Sequence, residues 1–192
     1  MASAPGICDT QTMRDQVDIH RFAELTKTPA FTASIDDVFF AASNTQSFAS
    51  DAARAVFRER WLGRYLEHDP QYVYLALSAG GEVAGYLVGS VSDPARTSRF
   101  ADIGYFQTFR DLTARYPAHL HVNLAAPYRG YGLGGALIER FIADARQAGA
   151  PGVHVVTSRG ARNVTFYERA GFVEAGATGD GASEVVFLAL TI

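Results

Sequence analysis

The sequence has very little cysteine, no long apolar run and no excess of positive charge, and each absence excludes a class of protein. One of its 192 residues is cysteine, Cys8, which rules out an internal disulfide and indicates a reducing compartment. No apolar stretch approaches the roughly 20 residues that a membrane-spanning helix needs. The formal net charge is −3, without the basic stripe typical of nucleic-acid binders. We therefore expect a cytoplasmic protein that binds neither nucleic acid nor a membrane.

The N-terminal segment, residues 1–16, is small and polar and lacks periodicity, which predicts a disordered tail. It also lacks the basic and then apolar pattern of a secretory signal. The remaining residues, 17–192, contain no internal repeat and no low-complexity tract. A chain of this length is usually one domain, so we expect a single α/β domain over residues 17–192.

Hydrophobic periodicity and turn residues divide this domain into strands and helices. The predicted strands cover residues 17–22, 72–78, 82–91, 119–124, 152–157, 172–175 and 184–192. The predicted helices cover residues 35–42, 51–67, 132–148 and 163–170, with a shorter one near residues 106–112. Asp51 is expected to cap the second helix. We assign that helix's aromatic-rich stripe, which includes Val56, Trp61 and Tyr65, to the core.

Glycine is concentrated in one segment between a predicted strand and the longest predicted helix. Its order is Tyr128-Arg129-Gly130-Tyr131-Gly132-Leu133-Gly134-Gly135. The first amides of a helix have no partner inside the helix, and the helix dipole makes that end positive. Glycines allow an anion to approach those amides, and Arg129 adds a cation. The segment therefore predicts a phosphate-binding loop.

Three kinds of phosphate-binding loop share part of this pattern. A P-loop requires Lys and then Ser or Thr at the start of the helix, whereas Gly135 and Ala136 follow Gly134. The dinucleotide fingerprint G-x-G-x-x-G is matched in spacing, but no acidic residue ends the next predicted strand to hold a ribose. The third comparison fits best, because Arg129-x-x-Gly132-x-Gly134 resembles the R/Q-x-x-G-x-G/A signature of the GNAT acetyltransferases.

A second segment strengthens the resemblance to the GNAT superfamily. Phe166-Tyr167-Glu168-Arg169-Ala170-Gly171-Phe172 resembles the family's F-Y-x-x-x-G-F segment, at the expected distance. The resemblance covers residues 120–172, and residues 116–123 are similar to bacterial relatives of the acetyltransferase-like C-terminal domain of O-GlcNAcase. It implies an α/β (α+β) fold with a central mixed, mostly antiparallel sheet of six to seven strands. About four helices flank that sheet, with a splay between the fourth and fifth strands.

The same resemblance implies acetyl-CoA as cofactor and a direct transfer of its acetyl group to an amine of a small molecule or peptide. The implied cofactor contacts are Val122, Asn123, Leu124, Arg129, Gly130, Tyr131, Gly132, Leu133, Gly134, Gly135, Asn163 and Tyr167. The family's asparagine position is occupied by Gly160 here, and Asn163 stands three residues later. The alternative to a cofactor contact is that Asn163 caps the helix 163–170. No metal is expected, and the chain is expected to be a monomer or a homodimer.

Acetyl transfer to an amine needs an acid for the leaving thiolate and a base for the attacking amine. Tyr167 matches the position of the family's tyrosine acid. For the base, His121 shares one face of the strand 119–124 with His119 and Asn123, and a histidine has a suitable pKa. Asp93, at the end of the strand 82–91, is the rival base. A non-catalytic acyl-CoA-binding domain is the alternative function.

Overall fold

A computed structural model describes residues 16–192 and contains a seven-stranded sheet. Its strands are β1 (Val17–Arg21), β2 (Val73–Ser78), β3 (Val83–Ser90), β4 (Ala118–Leu124), β5 (Gly152–Ser158), β6 (Val173–Thr178) and β7 (Val185–Thr191). Their order across the sheet is β1-β2-β3-β4-β5-β7-β6. All neighbouring strands are antiparallel except β4 and β5, which are parallel. The predicted tail, including Cys8, lies outside the described residues except for Gln16.

Helices cover both faces of this sheet. They are α1 (Pro29–Ala42), α2 (Asp51–Arg58, continued by a π-helical segment Glu59–Gly63 and by Arg64–His68), α3 (Gly104–Thr108), α4 (Arg110–Arg115), α5 (Leu133–Gln147) and α6 (Arg162–Arg169). Side chains of α1, α2 and α3 pack on one face, and those of α5 and α6 on the other. The predicted mixed sheet and its four main helices are confirmed. Within residues 16–192, no helix is both long and apolar enough to cross a membrane.

Side-chain caps set the starts of the first two helices. The Thr28 hydroxyl accepts a hydrogen bond from the Phe31 amide at 3.1 Å, which starts α1 well before the predicted residue 35. The Ser50 hydroxyl accepts from the Ala53 amide at 3.1 Å and caps α2. The prediction that Asp51 is this cap was wrong, because Ser50 has the extended backbone of an N-cap, whereas Asp51 is already helical.

The core between the sheet and α5 depends on a close approach at Gly89 of β3. The ring of Phe141 is fully buried over this glycine. A Cβ atom at Gly89 would lie 2.5 Å from Phe141 Cε2 and 2.9 Å from the carbonyl oxygen of His119. Neither neighbour is free to move, because one is a buried ring and the other is strand backbone.

Two histidines are buried side by side where β4 and β5 pair. The rings of His119 and His154 are 5.5 Å apart, and His154 also stacks on Phe187 at 4.4 Å. Each Nδ1–H donates to a backbone carbonyl, His119 to Pro117 at 3.2 Å and His154 to Tyr116 at 2.5 Å. Burial lowers the pKa of His154 to about 4 and holds the pKa of His119 well below its usual value. Both rings are therefore neutral at neutral pH.

The substitution Gly89→Ala should destabilise the fold by about 1–3 kcal/mol, because the added methyl group overpacks a site with no room to relax. Urea unfolding followed by circular dichroism measures this loss. Gly104→Ala is the matched control, because a Cβ there meets nothing within 4 Å. Equal stabilities of the two variants would contradict the proposed close contact at Gly89.

The free energy of unfolding should fall as the pH is lowered from 7 to 5. His119 and His154 have pKa values below 6.5 in the folded state, so the unfolded chain binds more protons in this window. Each histidine contributes a slope of about 1.4 kcal/mol per pH unit between its unfolded and folded pKa values. Urea unfolding at several pH values measures the slope. The variant His154→Gln should reduce it, and an unchanged slope in that variant would contradict the burial of a neutral ring at this position.

Candidate functional site

A gap opens between β4 and β5 at the middle of the sheet. These two strands pair only at Ala118 with Val153 and at His119 with His154. On its other side β4 stays paired with β3 along its length, from Ser90 opposite His119 to Gly85 opposite Leu124. Within the described sheet, residues 120–124 therefore have a backbone edge that no strand covers. Such an edge is able to take up an extended ligand as an additional strand, and the predicted splay is confirmed.

The glycine segment lies at the open end of this gap, between β4 and α5. Gly130 and Gly132 have φ angles of 86° and 81°, a region that non-glycine residues rarely adopt. Gly132 is the N-cap of α5, whose first turn begins at Leu133. The Arg129 Nε donates to the carbonyl oxygen of Leu124 at 2.9 Å, which fastens the segment to the end of β4.

The first turn of α5 has the chemistry of an anion site. Its residues, Leu133 to Ala136, include no acidic side chain, and the helix dipole places partial positive charge there. Leu133 is buried in the core, so it has only its backbone to offer a ligand. A Cβ atom at Gly135 meets nothing within 4 Å, so the fold itself does not require glycine at this position. Tyr131 lies between the two left-handed glycines and is partly exposed.

Helix α6 meets the start of α5 across the gap. A Cβ atom at Gly134 would lie 3.0 Å from the Phe166 ring of α6 and 3.7 Å from Leu124 of β4, so three elements converge here. Tyr167, the next residue of α6, is 5% exposed and packs edge-to-face on Phe172 at 5.7 Å. Burial raises the pKa of Tyr167, so its hydroxyl keeps its proton at neutral pH.

The side chains of β4 alternate between the two faces of the sheet. Val122 and Leu124 pack against the core under α5, together with Leu120. His121 and Asn123 lie on the opposite face, where the Asn123 side-chain amide donates to the Tyr86 hydroxyl at 2.7 Å. β4 therefore contributes apolar side chains to the core under α5 and polar side chains to the opposite face of the sheet, as its predicted polar and apolar faces imply.

On the His121 face lies a cavity of about 310 Å³. Its lining residues are Phe39, Ser43, Asn44, Thr45, Phe57, Trp61, His121 and Asn123. The His121 ring is 5.3 Å from Trp61 and 5.6 Å from Tyr65, and its Nε2 is buried. Burial, helped by the charge of Arg64, lowers the pKa of His121 to about 4, so this ring is neutral at neutral pH.

Sequence reasoning missed the cavity wall contributed by α2. Val56 of the predicted core stripe is 59% exposed, whereas Trp61 lines the cavity and Tyr65 is fully buried. A π-helical segment, Glu59–Gly63, changes the helix phase between them, and such segments are frequent at functional sites. A count of residues at helical spacing assumes a constant phase, so it has no signal for such a segment.

An aspartate fixes this part of α2 to the segment before α3. Asp102 accepts hydrogen bonds from Arg60 at 2.8 Å and from both terminal nitrogens of Arg64 at 2.8 and 2.9 Å. These hydrogen bonds lower the pKa of Asp102 to about 2. The ion pairs hold the helix on either side of Trp61.

The remaining predicted site residues, Asp93 and Asn163, have local partners. Asp93 accepts from the Ala95 amide at 3.0 Å and lies 3.3 Å from Arg96 Nε. It follows the Ser90 end of β3, so the structure does not bring it to the open end of the gap. Asn163 is exposed and accepts from the Thr157 hydroxyl at 2.9 Å. It does not cap α6, because the N-cap of that helix is Ala161.

The fold is similar to those of several solved structures. The crystal structure of SsHAT aligns with a TM-score of 0.70 and 20% sequence identity, covering 92% of this chain and 98% of that one. A mutant agmatine N-acetyltransferase in its apo form aligns at 0.63 with 15% identity, covering 93% and 100%. The NatC complex bound to Gag peptide and CoA aligns at 0.62 with 17% identity, covering 92% and 99%.

Comparison with protein families gives a match over most of the chain. Residues 34–172 match the acetyltransferase (GNAT) family, a span that includes the gap, the glycine segment and α6. Acetyl-CoA is the acyl donor that this family uses. The chain therefore belongs to the GNAT family of acetyltransferases.

Proposed function

We propose that residues 17–192 form one catalytic domain that transfers an acetyl group from acetyl-CoA to a primary amine of a small molecule or peptide. The observation that carries this proposal is the gap between β4 and β5, which leads directly to the glycine segment at the start of α5. A ligand with an extended amide-containing arm and a diphosphate matches both features, because one needs a strand edge and the other needs helix amides.

Each part of the gap has a role in holding this ligand. The backbone of Val122, Asn123 and Leu124 pairs with the pantetheine arm. The amides of residues 130–135 and the Arg129 guanidinium bind the diphosphate, and the open space beside Gly130 and Gly135 leaves room for it there. Asn163 contacts the cofactor through its exposed amide at the start of α6.

The chain's own residues move the protons of the reaction. As the amine nitrogen bonds to the thioester carbonyl carbon, the carbon–sulfur bond breaks and the sulfur becomes a thiolate. Tyr167 donates its hydroxyl proton to that sulfur, a role that its protonated state at neutral pH supports. The amine must lose one proton to become a nucleophile and another as the amide forms, leaving an amide and free CoA.

His121 is the proposed base for the amine. Its ring lines the cavity on the opposite face of β4 and is unprotonated at neutral pH, so it is able to accept a proton. Asp93 is less suited, because its carboxylate is engaged with the Ala95 amide and Arg96. Proteins of similar fold include a complex bound to a peptide and an agmatine N-acetyltransferase. They support a peptide and a small-molecule amine, respectively, as acceptor classes.

Several finer assignments rest on sequence alone. The similarity of residues 116–123 to relatives of the O-GlcNAcase acetyltransferase-like domain stays a prediction, as do the cytoplasmic location and the monomeric or dimeric state.

A domain that binds acetyl-CoA without turnover is the alternative function. A single amine that is acetylated at a useful rate would exclude it.

The variant Gly135→Asp should weaken acetyl-CoA binding by about tenfold or more while leaving the fold intact, because a carboxylate there repels the diphosphate. The same carboxylate should stabilise the unliganded helix by about 0.3–1 kcal/mol, since it lies in the first turn of α5. Isothermal titration calorimetry measures the affinity, and urea unfolding measures the stability.

Two controls separate charge from other effects in this experiment. Gly135→Asn adds a side chain of similar size without charge and should weaken binding less. Gly104→Asp adds the same charge at the start of α3, where a Cβ has open space, and should leave the affinity unchanged. NAD and NADP should not bind the parent protein, because the chain lacks the acidic ribose partner of a dinucleotide-binding loop. An unchanged acetyl-CoA affinity in Gly135→Asp would refute the assigned diphosphate site.

The variant Tyr167→Phe should lower kcat by about 100-fold, because it removes the proton donor for the thiolate. Acetyl-CoA affinity should stay unchanged, since the aromatic ring and its packing on Phe172 are retained. Steady-state kinetics with the best amine of a broad panel measures the rate. Tyr116→Phe, in a ring packed on Phe187, is the matched control and should be as active as the parent protein. Equal activity of both variants would remove Tyr167 from the mechanism.

A further inference from the structure

The cavity beside His121 has an aromatic wall. The rings of Phe39 and Phe57 lie 5.5 Å apart, and Trp61 completes the wall next to His121 at 5.3 Å. Phe48, which lines the neighbouring cavity, packs against Phe57 at 5.2 Å. Aromatic side chains arranged in this way favour flat apolar ligands, because ring pairs add attraction beyond the area that they bury.

The lining that the described part of the chain gives this cavity contains no carboxylate, lysine or arginine. Its polar groups are neutral: the side chains of Ser43, Asn44, Thr45 and Asn123, and the uncharged ring of His121. An ammonium group in this space has no carboxylate partner in the lining to offset the water that it loses. A second ammonium on the acceptor is therefore disfavoured relative to an apolar group.

Two acidic side chains on the surrounding elements are held by arginines. Asp36 of α1 pairs with Arg58 at 2.8 Å. Asp102 pairs with Arg60 and Arg64, each at 2.8 Å. Because of these pairs, neither Asp36 nor Asp102 is free to hold the second cation of a polyamine or of a guanidinium-bearing amine.

A neighbouring cavity of about 490 Å³ shares Thr45 with the first and carries one charge of each sign, Asp51 and Arg54. The Arg54 guanidinium lies 3.5 Å above the Phe40 ring. Because the two charges oppose each other, this outer space also gives no net attraction for a polycation.

From this wall and this charge pattern we infer that the acceptor is a monoamine whose single amino group is joined by a short chain to an aromatic ring. The inference rests on the proposed transferase function and names its substrate class. The ring packs against Phe39, Phe57 and Trp61, while the amino group points to His121. A volume of about 310 Å³ accommodates one aromatic group, since benzene already fits a cavity of about 150 Å³.

The first test compares amines of different charge and shape with the full-length protein and acetyl-CoA. Release of free CoA thiol is measured with 2-phenylethylamine and tryptamine, and with putrescine, spermidine and agmatine. We expect kcat/KM for the arylalkylamines to exceed that for the polycations by about tenfold or more, a difference of at least about 1.4 kcal/mol in transition-state binding. Equal values, or a preference for the polycations, would overturn the inference while leaving the proposed function standing.

A second test changes the charge of the wall. Phe57→Asp introduces a carboxylate into the cavity and should lower kcat/KM for 2-phenylethylamine while raising it for putrescine. Val56→Asp is the matched control, because it adds the same charge to the adjacent, exposed residue of α2 and should change neither value. If Phe57→Asp does not fold, Phe57→Leu should raise KM for 2-phenylethylamine without improving putrescine. An unchanged preference in the folded Phe57 variant would contradict the aromatic wall.

Trp61 fluorescence reports whether the cavity is occupied, because Trp61 lines the cavity and is the one tryptophan of the chain. Its fluorescence should change when 2-phenylethylamine is added at concentrations that saturate turnover, and should not respond to putrescine. No response to 2-phenylethylamine would place the acceptor elsewhere and overturn the inference. If calorimetry shows acetyl-CoA binding but no amine is acetylated, the proposed transferase function fails, and this substrate assignment fails with it.

Discussion

The early end of the pairing between β4 and β5 is the constraint on which the rest of the site depends. β3 holds β4 along its whole length, and β7 holds β5 from Gly152 to Ser158, so each strand is fixed on its outer side. The two separate after His119 and cannot close the gap without breaking those ladders. Because they are parallel, their carboxyl ends lie at the same edge, and the helices that follow, α5 and α6, both start there.

The two ends of this gap differ in chemistry as well as in spacing. At the paired end, neutral rings are packed tightly, with His119 on His154 and His154 on Phe187. At the open end, glycines replace side chains, and the start of α5 contributes positive potential without a charged residue in its first turn. A tightly packed end gives rigidity, and an open end leaves backbone groups for a ligand.

The sequence alone predicts those parts of the fold that have a local pattern. The strand 119–124 alternates strictly and the helix 132–148 keeps one apolar stripe, so β4 and α5 were predicted to within two residues. The position of the glycine segment at the start of α5 was predicted from its glycines, and its phosphate-binding role stays a prediction. The cavity was not, because it joins the loop after α1, the π-helical part of α2 and β4, which are distant in sequence. Trp61 and Val56 show the consequence, since both belong to one stripe in sequence and to different environments in the structure.

Alternation along β4 separates the uncovered strand edge and the α5 face from the cavity on the opposite face. Side chains of Val122 and Leu124 support the α5 face, while those of His121 and Asn123 face the cavity, and the backbone between them borders the gap. A change in the cavity wall at Phe57 therefore leaves the backbone edge and the glycine segment in place. In the proposed function, acceptor choice depends on α1, α2 and the loop between them, whereas donor binding depends on the gap. The aromatic, carboxylate-free wall and the gap are therefore built by different elements, so a substitution in one is able to leave the other unchanged.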